Sequence, residues 1–286
     1  MAQGKEIRSK IKSVQNTQKI TRAMQMVAAA KMRKAQEHMQ AARPYAECLL
    51  AVMGHFRAAH PEYRHPFMAV RPARRAGLLV VSSDRGLAGA LNANVLRVAV
   101  TTLRTWQEQG VEAEIGVYGG KAAAYFRRLG APVVAQAAPL GDRPALSTIL
   151  GVAKVMLDGY RTGRIDRLVI VFNRFQNTMT QRPVADTVLP LPATADDALA
   201  HRWDYLYEPD ARSVIDDAFE RYIETRIHGA LLENQASEQA ARMVAMRAAT
   251  DNAGQLIGDL RLAYNKARQA AITQELAEIV SGASAV

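Results

Sequence analysis

The run IHGALLENQASEQAARMVAMRAATDNAG (residues 227–254) lies inside a longer stretch, 210–281, that holds no proline and only three glycines, Gly229, Gly254 and Gly258. Such a stretch reads as one helix, about 110 Å long at the helical rise. Ile223, Ile227, Ala230, Asn234, Ser237, Ala241, Val244 and Ala248 step by four and three, as do Ile257, Leu260, Tyr264, Ala267 and Ala271. That spacing is the seam of a coiled coil. Much of the seam is Ala, Ser or Asn, so a partner helix can approach closely while burying little area per turn. A helix this long with caps only at its ends does not belong inside a globular domain.

The partner is read at the other end of the chain. From Gln3 to about Arg57 the only proline is Pro44 and the only glycines are Gly4 and Gly54, which predicts a second long helix. Ile7, Ile11 and Val14 carry a seam; beyond them the phase is expected to change to a stripe of Ile20, Met24 and Val27, beside the uncharged stretch Ala23–Ala30. The two terminal helices are expected to pair antiparallel.

Between them the pattern changes. GLLVVS (77–82) is an apolar run of strand length, followed by a helix over 88–108. Strands at 114–118, 132–136 and 168–173 then alternate with helices at 121–129 and 146–160. Continuously apolar strands separated by helices indicate a parallel sheet covered on both faces, a Rossmann-like α/β domain. A last strand near 184–189 returns antiparallel after a turn at Asn177. The expected organisation is a coiled-coil helix at 1–58, a linker at 59–76, the α/β domain and its connection at 77–207, and a second coiled-coil helix at 208–286.

Composition narrows the function. The chain has 286 residues, is 49% hydrophobic, and has a formal net charge of +10; an apolar fraction of that size supports a folded core. Residues 1–43 carry ten Lys and Arg against Glu6 and Glu37, whereas residues 210–286 carry eight against eleven acids. A basic arm can meet nucleic acid, an anionic surface or an acidic protein. Its lack of any aromatic residue to stack bases, and the burial that Ile7, Ile11 and Val14 demand, favour an acidic protein cavity over nucleic acid, with a merely solvated face as the plainer alternative. The single cysteine, Cys48, excludes an internal disulfide framework. The charged start resembles no secretory leader and no apolar run is long enough to span a bilayer, so a cytosolic compartment is expected.

Signatures of catalysis are sparse in the chain. Lys121 follows Gly119 and Gly120, but Ala122 follows it and Ile115 stands where a phosphate loop needs its first glycine. The six histidines do not pair at ligand spacing; no catalytic residue, cofactor or metal is expected. The most enzyme-like feature is SSDRGLAGALN (82–92), a turn from strand to helix that could present N–H groups to an anion. The bland reading is a structural connection in which Asp84 and Arg85, with Asn92 or Asn94, make polar contacts. The end of the chain, ARQAAITQELAEIVSGASAV (267–286), is apolar or small on most faces, and such a helix is normally enclosed by another protein. A homo-oligomeric coiled coil is the simpler alternative.

The opening KEIRSKIKSVQNTQKITRAMQMVAAAKM, the turn SSDRGLAGALN, YLYEPD at 205–210, ARMVAMRAATDNAG and the terminal NKARQAAITQELAEIVSGA resemble, across the whole chain, the gamma subunit or central shaft of bacterial F-type ATP synthases. The resemblance implies a non-catalytic rotary shaft. Its paired terminal helices pass through the hexamer of alpha and beta subunits, and its base meets the epsilon subunit and the membrane c-ring at the cytoplasmic face of the inner membrane. It implies that Lys19, Arg22 and Met24 face acidic loops of the beta subunits, that Arg268 and Gln269 make a catch contact there, and that Tyr205, Tyr207 and Glu208 meet epsilon and the ring. The inserted cysteine pair of chloroplast relatives is absent, so no thiol switch is expected of Cys48. The rival reading is a nucleotide-binding α/β enzyme with helical dimerisation arms.

Overall fold

The computed structural model describes residues 2–60, 63, 65–141, 146–191, 208 and 210–283. The chain divides into two compact units, one of residues 1–29 with 242–286 and one of residues 30–241. Two helices contribute to both: α1, Ala2–Ala59, with Pro44 inside it, and α5, Ala211–Ala283.

The larger unit contains a five-stranded sheet of β1 (Arg75–Val81), β2 (Glu112–Tyr118), β3 (Val133–Ala137), β4 (Arg167–Phe175) and β5 (Gln181–Leu189), in the order β3-β2-β1-β4-β5. Four strands are parallel and β5 is antiparallel to β4. The connecting helices are α2 (Leu91–Glu108), α3 (Gly120–Leu129) and α4 (Leu146–Arg161). The strand alternation sorts side chains onto two faces. Leu78 and Val80 join Val95, Ala99, Trp106, Ile115, Val117 and Phe126 on one side. Leu79 and Val81 join Met156, Tyr160, Ile170 and Phe172 on the other, together with Met53 and Phe56 of α1 and Ile215, Phe219, Ile223, Ile227 and Leu231 of α5. A Cβ on Gly116 would lie 2.7 Å from Leu79 and 2.9 Å from Met156, so α4 reaches the sheet only because that residue has none. The stretch 61–76 includes a 3-10 turn, Pro66–Met68, that docks Phe67 in the same core; the described part of the stretch is not a bare tether.

In the smaller unit α1 and α5 run antiparallel. The Gln18 amide donates to the Thr250 carbonyl (3.3 Å), and the Thr21 and Thr250 hydroxyls are 2.8 Å apart. Gly254, one turn beyond Thr250, also faces Gln18. This corrects the expected phase change in α1. The seam continues unbroken from Ile7, Ile11 and Val14 through Gln18, Thr21, Gln25 and Ala28, while Ile20 and Val27 are exposed and Met24 is half-buried. Polar and small residues hold the seam because side-chain hydrogen bonds and close approach replace apolar bulk. On α5 the expected continuation to Val244 and Ala248 is likewise displaced: Ala248 is exposed, and Met246, Thr250, Ala253 and Ile257 carry the seam into Leu260 and Tyr264. Residues 236–240, buried at four of five positions, mark the place where the covered face of α5 changes. An alanine contributes about one methyl of burial, roughly 0.8 kcal/mol, against 1.5–3 kcal/mol for a leucine; this helix pair is lightly glued along its length.

Candidate interaction surfaces

The turn after β1 is filled by its own side chains. The Ser82 hydroxyl donates to the Tyr118 carbonyl (3.2 Å) and accepts the Ala122 amide (2.8 Å). Asn92 donates to the Ser83 hydroxyl (2.7 Å) and accepts the Ser83 amide (3.1 Å). One Asp84 oxygen accepts the Gly120 amide at 2.9 Å, and the other accepts Leu140 and Gly141, both at 2.8 Å. Asp84 therefore ties three segments together, and the α3 N–H that an anion would seek is already taken. Asn92 makes the structural contact anticipated for it, whereas Asn94 only meets Arg97 at the surface (3.4 Å).

In a doubly wound sheet the ligand crevice opens at the carboxyl ends of the strands where the order reverses, here between β1 and β4. The β1–β4 ladder ends at Val80 and Val171. Beyond it, α5 closes the edge: Asn234 accepts both the Asn173 backbone N–H (3.2 Å) and its side-chain amide (2.9 Å), and the Ser237 hydroxyl donates to the Asn173 carbonyl (2.9 Å). A cavity of about 180 Å³ remains beside it, lined by Ser83, Asp84, His38, His228, Gln235 and Glu238 among others. Burial, and then the charge of His38, hold His228 below the usual histidine range. Among the described residues no group of three or more His, Cys, Asp or Glu is placed to hold a metal ion.

The remaining accessible chemistry lies on the helices. Lys19 and Arg22 are exposed on α1 and share a face with Met26 at steps of three and four; Ile20 and Val27 lie beside them. Met26 escaped the sequence reading. The signal was available in the four-three progression from Ile7, which passes through Gln18 and Gln25 and leaves Met26 outside the seam. Arg268 and Gln269 are exposed on α5, fourteen and fifteen residues past the Gly254 that faces Gln18, so the two groups are separate surfaces about 20 Å apart along the pair. Beyond Ala271 every described α5 side chain is exposed, including Ile272, Leu276, Ile279 and Val280, the last two at 67%. Glu208 is exposed; Tyr205 and Tyr207 lie outside the described residues.

A doubly wound domain whose crevice is closed by its own long helix, with apolar and basic helical surfaces left open, defines a component built to work inside a larger assembly. Residues 3–286 match the family described as ATP synthase. The ATP synthase gamma chain of Nitrosococcus oceani is 57% identical over 289 residues, covering the whole of both chains. The chain belongs to the ATP synthase gamma-chain family. Solved structures of ATP synthase assemblies share its fold, and two illustrate it. A chain of the Euglena gracilis mitochondrial ATP synthase OSCP/F1/c-ring structure is 20% identical with a TM-score of 0.69, over 99% of this chain and 94% of that one. A chain of the Tetrahymena thermophila central stalk and c-ring structure is 21% identical with a TM-score of 0.63, over 80% and 99%. As a gamma chain it is a non-catalytic stalk subunit of a membrane-associated ATP synthase. Among the described residues no helix is long and apolar enough to cross a membrane.

Proposed function

We propose that this chain turns as the central shaft of a bacterial ATP synthase, its helix pair enclosed by the alpha and beta subunits and its α/β domain seated with epsilon on the c-ring, at the cytoplasmic face of the inner membrane. The observation that carries this reading is the unpartnered end of α5, where Ile272, Leu276, Ile279 and Val280 stand in solvent. Apolar surface of that kind marks a place where another protein belongs. Lys19 and Arg22, with Met24 half-buried beside them, are the contacts to acidic loops of the beta subunits. Arg268 and Gln269 make a second contact one surface away, and Tyr205, Tyr207 and Glu208 meet epsilon and the ring.

The mechanism needs no reacting group on this chain. A shaft changes a catalytic site only by binding its conformations unequally, and a helix pair with a basic and apolar face on one side offers each beta subunit a different surface as it turns. Ion flow through the ring supplies the torque, and the contacts convert angle into conformational preference. The reading is tested by purifying the tagged chain from its native membranes. Recovery with alpha, beta and epsilon subunits, and with ATPase activity that the chain alone lacks, supports it; a free homo-oligomer that turns over nucleotide by itself refutes it and restores the α/β enzyme.

A further inference from the structure

We infer that Asn234 and Ser237 of α5, with Asn173 of β4, form a register lock that fixes α5 to the sheet and carries torque between them. The inference rests on the shaft reading and goes beyond it by naming the joint. The N–H and C=O of one strand residue point to the same side, and Asn173 gives both to α5, so both point away from β5 and into the gap that β1 leaves after Val81. There α5 acts as a surrogate strand. All three residues are almost wholly buried, at 1%, 3% and 0% exposure for Asn173, Asn234 and Ser237.

The surrounding contacts hold this register less strictly: Arg226 donates to the Thr187 carbonyl (3.3 Å) and Arg161 to Glu220 (2.9 Å), but both pairs lie at the surface, where water can replace them. Ile215, Phe219, Ile223, Ile227 and Leu231 pack α5 on the sheet, but apolar packing is non-directional and tolerates repacking. Buried backbone groups demand partners in one geometry. A shift of α5 by a single residue would move Asn234 off the β4 edge and orphan a donor and an acceptor together. Asn234 and Ser237 are positioning residues: they decide whether a rotation of the sheet becomes the same rotation of the helix.

The test uses the assembled ATP synthase carrying Asn234→Leu, Ser237→Ala or, as a control of the same apolar cluster, Ile149→Val. The lock variants are expected to assemble and hydrolyse ATP, while ion pumping per ATP falls by roughly twofold or more. Hydrogen exchange at the Asn173 amide should quicken by about tenfold or more in Asn234→Leu, the consequence of an orphaned buried donor. The control should lower the thermal midpoint and leave pumping per ATP unchanged. Should Asn234→Leu not assemble, Ser237→Ala removes only one donor and must show the same loss in smaller measure. Undiminished pumping in Ser237→Ala and Asn234→Leu, or an equal loss in Ile149→Val, overturns the lock. A wild-type chain that never enters the complex refutes the shaft reading instead.

Discussion

Replacing Asp84 with alanine tests whether the ligand-like turn is structural. Its two oxygens accept three backbone amides, Gly120, Leu140 and Gly141, at 2.8–2.9 Å. Hydrogen bonds to a charged group contribute about 1.5–3 kcal/mol when the donors are left buried without partners. Asp84 is half-buried and Gly141 exposed, so water rescues part of the loss, and the expected cost is about 3 kcal/mol in all. Asn should recover only part of this, because its amide group would point a donor at other donors. The assay is urea unfolding of the whole chain carrying Trp203→Phe, followed by the fluorescence of Trp106, which α2 buries against the sheet. With a denaturant slope near 3 kcal/mol/M, the midpoint should fall by about 1 M for alanine and by less for asparagine. A midpoint unchanged by either substitution would refute the reasoning. It would leave Asp84 free to serve a ligand, and binding of a nucleotide lost in the same variant would point to the enzyme reading.

Gly119 adopts φ +93°, and a Cβ there would lie 2.2 Å from the Ser82 carbonyl oxygen; Gly119→Ala should cost at least about 3 kcal/mol, read as a lost thermal transition. Burial, the main cause, lowers the His65 pKa to about 4 from 6.5, against the opposing pull of Asp216. The folded state thus binds its proton later than the unfolded state, and stability complete above pH 6.5 should fall by roughly 3 kcal/mol as pH drops through 4. His65→Gln should flatten that slope in urea midpoints taken from pH 7 to 4, leaving the smaller contribution of His228; an unchanged slope would acquit His65. Truncation after Ala271 should leave unfolding of the α/β domain within about 0.5 kcal/mol of wild type while weakening recovery of alpha and beta subunits. Loss of the domain would show that the tip supports it.

The α/β alternation was legible because the central strands are apolar runs separated by helical stretches; the expected strand at 168–173 falls within β4, and that at 77–82 overlaps β1 but overruns its end at Val81 by one residue. The long helices were legible from the absence of proline. The seam past Val14 was misread because hydrophobicity was used as its marker, whereas Gln18, Thr21 and Thr250 hold it by hydrogen bonds. Asn234 and Ser237 fit a helix–helix seam by spacing, and nothing local in the sequence says that the β1–β4 ladder ends at Val171, two residues short of Asn173. The structural reading of the turn at Ser82–Asn92 agrees with the three amides that Asp84 accepts. The contact roles of Lys19, Arg22, Met24, Arg268 and Gln269 come from family resemblance. Exposure makes those roles possible for the four charged or amide side chains, but only a partner can give them meaning.

Cys48 is the sole cysteine and is exposed, which offers a single handle on the chain within its complex. The most direct test is to biotinylate Cys48 in the immobilised alpha–beta–gamma assembly, attach a bead, and record its motion in ATP. Sustained rotation in one direction, with pauses between steps that lengthen as ATP is diluted, is the expected result. A bead that stays fixed or only jitters, in an assembly that hydrolyses ATP at full rate, would contradict the claim that this chain is the shaft.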